Sequence, residues 1–275
     1  MITGLDHIVL LCPDIEAGIT DYTTLLGRAP DWRASGDGAA TAVFAMDETA
    51  LELMAPEGAG ETADRLRALT VNGARLTTLV YRSDDLLSDH ARLAAAGLQP
   101  GEITAGSSVD AKTGAQRSWQ RLRLPDAQMH GIKTFLLAPH GPGLQPGTTG
   151  PEMITRLDTL TLMTGAPERT QSLYEGQIGL RLALSRTFDK TSIQFFKAGR
   201  ITLEMVHRGA QAGDEDRIWG LVWGARDLDA VHARLSAAGL TLNEIRGGMK
   251  PGTRVFTAKS GTQGIPTLFI AASKG

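Results

Sequence analysis

The stretch DLLSDHARLAAAGL at residues 85–98 recurs as DLDAVHARLSAAGL at residues 227–240, with ten of the fourteen positions identical. A second repeat pairs MITGLD at residues 1–6 with MITRLD at residues 153–158. The spacing of this second repeat relates further positions, namely Tyr22 to Tyr174, Gly27 to Gly179, and Leu51 and Glu52 to Leu203 and Glu204. Internal repeats of this kind indicate duplicated supersecondary units. The sequence therefore predicts four modules, in which the first resembles the third and the second resembles the fourth.

Each module is predicted to have the element order β-α-β-β-β. In module one the apolar run from Leu5 to Leu11 predicts a strand, Asp14 is a suitable N-cap, and Gly27 ends the helix. The remaining strands of module one are predicted near residues 30–35, 40–46 and 49–54. For module two we expect a strand at 76–81, a helix at 85–96, and strands near 101–104, 117–124 and 132–138. For module three we expect a strand at 157–163, a helix from Pro167, and strands near 181–187, 191–197 and 201–207. For module four we expect a strand at 219–223, a helix at 227–238, and strands near 241–246, 253–258 and 266–271.

Two segments of the first half are predicted to be irregular. The two repeats differ in spacing by ten residues, and the difference falls after Met54, where a longer loop is expected. The glycine-containing stretch at residues 105–114 is predicted to be a mobile flap that serves as a lid over the first-half cavity.

A segment rich in glycine and proline separates the two halves. Residues 141–151 read GPGLQPGTTGP, a composition that interrupts helices and strands. The chain of 275 residues is long enough for two domains. We therefore predict one domain at residues 1–140, with modules one and two, and a second at residues 152–275, with modules three and four.

Composition narrows the classes of partner and of site. The formal net charge is −2 from 28 basic and 30 acidic residues, which disfavours nucleic-acid and anionic-membrane partners. A single cysteine, Cys12, excludes an internal disulfide and a cysteine-rich zinc site. The N-terminus shows no secretion signal and no apolar run is long enough for a membrane span, so a cytoplasmic location is expected. The expected partners are a small-molecule ligand and other copies of the chain.

The four modules carry a family resemblance. The first strand LDHIVL at residues 5–10, the helix end LLG at 25–27 and the last strand LELM at 51–54 resemble those of the vicinal oxygen chelate superfamily. Within it the chain is most similar to glyoxalase-like and bleomycin-resistance-like proteins. The resemblance implies an α+β fold in which four βαβββ modules pair into two half-open barrels, with helices outside and a ligand cavity on each concave face. Members pair modules across a dimer or within one chain, so either a monomer or a homodimer is expected.

The resemblance also implies positions for a metal. Metal-dependent members place one ligand on the first strand and one on the last strand of each of two paired modules. Side chains alternate along a strand, so Leu5, His7 and Val9 are expected on the cavity side if Ile8 and Leu10 face the helix. By the same reasoning Glu52 faces the cavity. His7 and Glu52 are therefore the expected catalytic residues and metal ligands, for zinc, iron, nickel or manganese.

The other two ligand positions lack suitable residues. Module two offers Thr77, Thr78 and Val80 on its first strand and KTFLL at residues 133–137 on its last strand. In the second half Thr159 replaces His7, whereas Glu204 keeps the position of Glu52. The absence of a bound metal is therefore an equally open alternative, in which His7 and Glu52 form a polar pair and the imidazole acts as a general base.

Several residues are expected to contact the ligand. On the strand at 117–124 the alternation places Arg117, Trp119, Arg121 and Arg123 on one side, either facing the cavity or on an exposed edge. Arg121 would then bind a carboxylate or phosphate and Trp119 would form an apolar wall. Aromatic residues make up only 5% of the chain, which draws attention to Tyr81, matched by Trp223, as a further wall. Glu204 is expected to be a further polar contact to the ligand.

The sequence leaves two functions open. The first is a lyase or isomerase of glyoxalase type that acts on a small, oxygen-rich, anionic molecule by proton transfer or elimination next to a carbonyl. The second is a metal-free protein that binds or sequesters a small molecule without changing it. The pair formed by His7 and Glu52 favours the first, and the two missing ligand positions favour the second.

Overall fold

The computed structural model describes residues 1–147, 149–189, 191–209 and 215–273. Within them lie two mixed sheets of eight strands each, formed by Ile2–His140 and Ile154–Ala272. Both sheets have the same order of strands, with the first strand of each half at the centre. The predicted α+β fold of four modules paired into two barrel-like halves is confirmed. Thr148 of the predicted linker lies outside the described residues.

The first half contains eight strands and three α-helices. They are β1 Ile2–Leu11, α1 Ile15–Leu26, β2 Trp32–Gly36, β3 Ala39–Ala45, β4 Ala50–Pro56, α2 Glu61–Thr70, β5 Arg75–Ser83, α3 Leu86–Ala95, β6 Ile103–Val109, β7 Gln116–Arg123 and β8 Lys133–His140. The strand order in the sheet is β2-β3-β4-β1-β5-β8-β7-β6. Helix α1 begins and ends as predicted, because the Asp14 carboxylate accepts from the amide of Ala17 and Gly27 adopts φ 78°.

The second half repeats this plan with three differences. Its described elements are β9 Ile154–Met163, α4 Pro167–Gln171, β10 Arg181–Phe188, β11 Thr191–Ala198, β12 Ile201–Arg208, β13 Arg217–Ala225, α5 Leu228–Ala237, β14 Arg246–Gly247, β15 Thr253–Ala258 and β16 Thr267–Ala272. Helix α4 continues as a π-helical turn over Ser172–Gln177. Strand β14, expected to cover residues 241–246, shrinks to two residues. No counterpart of α2 is found among the described residues of this half.

Two predictions for the first half need correction. The expected loop after Met54 contains helix α2, whose Leu66 packs with Val9 and Leu11 in a small apolar cluster separate from the main core. The expected flap at residues 105–114 is instead strand β6 and a turn, paired with β7 along its length. The turn is held at Asp110, whose carboxylate accepts from the amides of Arg33 and Thr113.

Contacts between β2 and β6 bring the two edges of the first sheet together. The indole Nε1 of Trp32 donates to Ser108 Oγ at 2.9 Å, and the amide of Ala111 donates to the carbonyl of Arg33 at 2.7 Å. The sheet is therefore curved into a nearly closed barrel with a distinct concave face.

The convex faces of the two sheets share one apolar core. Tyr22, Tyr81, Tyr174 and Trp223 are all fully buried in this core, which includes residues of both halves. The domain boundaries at residues 1–140 and 152–275 stay predictions.

Two arginines from the repeated HARL sequence also join the halves. Arg234 of α5 donates to the carbonyls of Thr24 and Leu25, the last turn of α1, and Arg92 of α3 donates to the carbonyl of Gln177. The two contacts are equivalent under the internal repeat. Among the described residues, no helix is long and apolar enough to span a membrane.

Candidate functional site

Cross-strand pairing defines which side chains share the concave face of the first sheet. Residues paired directly across a sheet lie on the same face. Glu52 pairs with Val43 and with Val9, Val43 pairs with Trp32, and Val9 pairs with Thr78. Alternate residues of this row, such as Leu51 and Ile8, are buried in the core on the convex side. Glu52 therefore faces the concave side, as the alternation predicted.

A β-bulge at Asp6 sets the position of His7. In the pairing of β1 with β5, Leu5 lies opposite Tyr81 and His7 lies opposite Val80, so Asp6 is the extra residue. The bulge leaves Leu5 on the convex side, fully buried, where simple alternation predicted the cavity side. It also brings the adjacent side chains of Asp6 and His7 into contact. Bulges of this kind are common next to active sites, where they redirect a side chain.

The side chains of Asp6, His7 and Glu52 form a connected polar cluster with Arg82. The Nδ1 atom of His7 is 2.8 Å from Asp6 Oδ1, and its Nε2 atom is 3.3 Å from Glu52 Oε2. The other oxygen of Asp6 accepts from Arg82 Nε at 2.9 Å. His7 and Glu52 are 17% and 14% exposed, so both are accessible to a ligand yet largely shielded from water. The imidazole thus lies between two carboxylates.

The cluster changes the protonation of its members. Burial alone would lower the pKa of His7, but the hydrogen bond to Asp6 and the negative charge of Glu52 outweigh it, so the pKa is raised despite the opposing charge of Arg117. Burial alone would raise the pKa of Asp6, but the hydrogen bonds and charges of His7 and Arg82 lower it. The protonated imidazole is therefore favoured more than in a free histidine.

Arg117 faces the same cavity and is covered by two tryptophans. The guanidinium carbon lies 5.0 Å from the ring centroid of Trp32 and 5.4 Å from that of Trp119, within the range of cation–π contacts. The buried Nε atom of Arg117 has no hydrogen-bond partner among the described residues. Burial lowers the pKa of Arg117, and the charges of Glu52 and Asp6 oppose that shift. A desolvated guanidinium thus lies close to the His7–Glu52 pair.

The other residues expected to contact a ligand occupy different places. Trp119 and Arg121 both lie on the concave face, because β7 pairs with β8 and Phe135 of β8 pairs with Val80, opposite His7. Arg121 is exposed, with its guanidinium carbon 5.9 Å from the ring centroid of Phe135. Tyr81, expected at the cavity wall, lies instead on the convex face, because it alternates along β5 with Val80, which pairs with His7 on the concave side. Its repeat partner Trp223 is likewise buried in the core.

Glu204 belongs to the concave face of the second sheet and has a local partner. Its carboxylate accepts from Thr161 Oγ1 at 2.8 Å, and the two residues are paired across β12 and β9. The expected neighbour, Thr159, instead donates to Asp158 at 3.0 Å. The bulge seen at Asp6 recurs at Asp158, and Thr161 occupies the position of Val9, so the difference lies in the side chains and not in the register.

The donor set for a divalent metal is incomplete within the described part of the chain. His7 Nε2 and Glu52 Oε2 are 3.3 Å apart, a separation compatible with two ligands at about 2.0–2.2 Å from one ion. However, Thr78 and Lys133 continue the concave row, and no group of three or more His, Cys, Asp or Glu suited to a metal occurs there. The positive charge of Arg117 also acts on this pair. The described residues do not fit a tightly held divalent ion.

The sequence analysis did not predict two members of the polar cluster, Asp6 and Arg82, or Trp32, which lies over Arg117. The repeat gave one signal, since Asp6 recurs as Asp158. Arg117 was included in the alternating row, but nothing in the alternation distinguishes it from Arg121. Only the approach of β2 to β6, a contact between distant segments, brings Trp32 over Arg117.

Comparisons with known proteins agree with this architecture. The model of the glyoxalase-like domain matches residues 5–178, and that of the glyoxalase/bleomycin resistance protein/dioxygenase superfamily matches residues 156–263. No curated protein sequence matches the chain.

Solved structures resemble the chain in fold. A triple mutant of 4-hydroxymandelate synthase from Streptomyces coelicolor has a TM-score of 0.73 at 14% identity, covering 100% of this chain and 94% of that chain. The Mn(II)-bound glyoxalase from Novosphingobium aromaticivorans has a TM-score of 0.66 at 12% identity, covering 99% and 83%. A hypothetical protein from Staphylococcus aureus has a TM-score of 0.63 at 10% identity, covering 97% and 98%. These identities support a shared fold and no more. The match over residues 5–178 shows that the chain belongs to the glyoxalase-like domain family, whose superfamily supports a role in binding or converting a small molecule.

Proposed function

We propose that the first half binds a small, oxygen-rich, anionic organic molecule and that His7 and Glu52 transfer a proton next to its carbonyl group. One observation carries the proposal: the imidazole of His7 lies between the carboxylates of Asp6 and Glu52, at the concave face where Arg117 supplies a positive charge. A shared proton and an anion-binding cation are the two elements that such a reaction requires.

The residues have separate tasks in the proposed reaction. Arg117 binds the anionic group and holds the adjacent carbonyl near His7 Nε2. Glu52 accepts the proton from the neighbouring carbon, and the electron pair of the broken C–H bond forms an enolate. The imidazolium of His7 donates a hydrogen bond to the enolate oxygen, while Asp6 holds the ring through Nδ1.

Two outcomes follow from this enolate. Where the neighbouring carbon carries a hydroxyl, the intermediate is an enediolate: the hydroxyl proton passes to the enolate oxygen, the second carbon becomes the carbonyl, and return of the proton from Glu52 to the former carbonyl carbon completes an isomerisation. Expulsion of a leaving group from the next carbon, with the proton passing to it from His7, completes an elimination. The proposal therefore covers an isomerase or a lyase, and the two are separated by whether a fragment is released.

The proposed chemistry does not use a metal, because the described residues supply only two metal ligands and the positive charge of Arg117 lies beside them. We expect a chelator to leave the activity unchanged. Loss of activity on chelation, restored by one added divalent metal, would instead support the metal-dependent version with His7 and Glu52 as ligands.

The single buried Cys12 agrees with a cytoplasmic setting. Either a monomer or a homodimer is consistent with the proposal.

Sequestration without chemistry is the second candidate. It is favoured by helix α2, which covers part of the concave face through Leu66 and Leu69 and thereby adds apolar surface rather than catalytic groups. In that case Glu52 and His7 are polar contacts to the bound molecule.

Deuterium exchange separates the two functions. The protein is incubated in D2O with a panel of carboxylate-bearing carbonyl compounds, and loss of the proton signal next to each carbonyl is followed by NMR. We expect exchange with at least one compound, reduced about 10²–10⁴-fold in Glu52→Gln and in His7→Gln. Asp158→Asn, which changes the second-half counterpart of Asp6, is the matched control and is expected to retain the rate. Compounds that bind without exchange would support sequestration and refute the proton transfer.

A further inference from the structure

The setting of Arg117 restricts the shape of the anion that it can bind. Its guanidinium is in contact with the faces of two indole rings, those of Trp32 and Trp119. An anion that binds this guanidinium must therefore approach it beside both rings. A planar carboxylate binds an arginine edge-on, through two parallel hydrogen bonds in one plane. The oxygens of a tetrahedral anion extend out of that plane, toward the rings.

Both rings are held in place by the sheet. Trp32 is 5% exposed, and its Nε1 atom donates to Ser108 Oγ at 2.9 Å, which ties the ring to β6. Trp119 lies directly over Gly106 of the same strand. A Cβ atom at residue 106 would be 2.5 Å from Trp119 Nε1, so any larger residue would displace the ring. The absence of a side chain at residue 106 thus allows the indole to lie close to the strand.

We propose that Trp32, Arg117 and Trp119 form a slot selective for planar carboxylates over tetrahedral anions such as sulfonates and phosphonates. This inference makes the proposed function more specific, because it identifies the anionic group of the substrate as a carboxylate bound by Arg117. It rests on the proposed function only for the place where the substrate binds. Arg121, on the same strand, is exposed and makes its cation–π contact with Phe135 outside this slot. Arg117 is therefore the specificity-determining residue.

The test uses three probes that share one ring and differ in the anionic group: benzoate, benzenesulfonate and phenylphosphonate. Binding to the full chain is followed through the indole N–H resonances of Trp32 and Trp119, assigned with single Trp→Phe variants. We expect benzoate to shift both resonances and to bind about tenfold or more tightly than either tetrahedral probe, the difference made by one well-formed bidentate contact.

Variants separate the slot from a general effect of charge. Arg117→Lys keeps the charge without the planar fork and is expected to weaken benzoate about tenfold or more. Arg123→Gln removes a positive charge from the same strand and is the matched control, expected to leave benzoate affinity unchanged. Gly106→Ala is expected to reduce the preference for benzoate over benzenesulfonate, because the displaced Trp119 no longer confines the anion.

The outcomes are distinct from those of the exchange experiment, because no reaction is followed. Equal binding of benzoate and benzenesulfonate, an equal loss in Arg123→Gln, or no shift of either indole resonance up to the solubility limit of benzoate would overturn the slot. A selective slot in a protein that shows no deuterium exchange would support this inference while refuting the proton transfer.

Discussion

Replacing Arg234 with alanine tests how the two halves are joined. Its guanidinium donates from Nε to the carbonyl of Glu152 at 3.0 Å, from Nη2 to the carbonyl of Leu25 at 2.8 Å, and from Nη1 to that of Thr24. Two of these carbonyls belong to the last turn of α1, where no further helical amide is available to them. The variant leaves three carbonyls without their charged donor.

The structure allows the cost to be estimated. A hydrogen bond to a charged group contributes about 1.5–3 kcal/mol when its loss leaves a buried partner unsatisfied. Arg234 is only half-buried, so water can replace part of each contact, and about 1 kcal/mol per carbonyl is a reasonable share. The favourable interaction of a cation with a helix C-terminus adds about 0.3–1 kcal/mol. We expect Arg234→Ala to reduce the free energy of unfolding by about 3–4 kcal/mol.

Arg92→Ala provides the matched comparison. Arg92 occupies the equivalent position in the repeat but makes one bond across the halves, to the carbonyl of Gln177 at 3.1 Å. Its remaining hydrogen bonds go to Asp89 on its own helix, whose side chain is only 1% exposed. Because Arg92→Ala alone would leave the buried Asp89 carboxylate without its arginine, both variants are made in an Asp89→Asn background. Urea unfolding, followed by tryptophan fluorescence, should then give a loss for Arg92→Ala about half that of Arg234→Ala or smaller. A larger loss for Arg92→Ala, or less than about 1 kcal/mol for Arg234→Ala, would show that these carbonyl contacts do not join the halves.

Three further predictions concern the first half. The pKa of His7 is raised, so folding favours its protonated form. The free energy of unfolding that the wild type has in excess of His7→Gln should therefore be fully present below the ordinary histidine pKa and should be lost as pH rises through the pKa of the folded state. Urea unfolding across pH measures this difference. Asp6→Asn should lower the pKa of His7 in an NMR titration, whereas Asp158→Asn should not; an unchanged value in Asp6→Asn would contradict the assigned cause. Leu66→Ala should accelerate amide exchange in α2 by weakening its contacts with Val9 and Leu11, at a local cost of about 2–3 kcal/mol; equal acceleration in the central strands would contradict a local effect.

The repeat and the capping residues were sufficient to predict the architecture. The helix that starts after Asp14 and ends at Gly27 is bounded by capping interactions between residues close together in the chain, and such local interactions can be predicted from sequence. Because the modules are duplicated, the element order predicted for one module also applies to its copy. Helix α2 was missed because it has no copy among the described residues of the second half, although Ala63, Leu66 and Thr70 lie at helical spacing and are buried.

The site was harder to predict, because it depends on register and on contacts between distant strands. Alternation identified the inward-facing Glu52, but it misplaced Leu5, since one extra residue at Asp6 reverses the faces on either side of it. Tyr81 was selected because aromatic residues are few, and scarcity carries no information on the face that a side chain occupies. The choice between Arg117 and Arg121 required the curvature that brings β2 to β6. Neither feature leaves a periodic signal in the sequence.

The bulge also explains how one duplicated fold acquired two different concave faces. In both halves the extra residue is an aspartate that bonds to the next side chain, His7 in the first half and Thr159 in the second. The backbone geometry was therefore present in both copies, and the difference lies in the side chain that it presents. A threonine hydroxyl in that place donates a hydrogen bond to the aspartate but does not titrate near neutral pH, whereas an imidazole does. Under the proposed function, the histidine at this shared position supplies the acid–base group of the first half, and the second half keeps the same bulge with a threonine in its place.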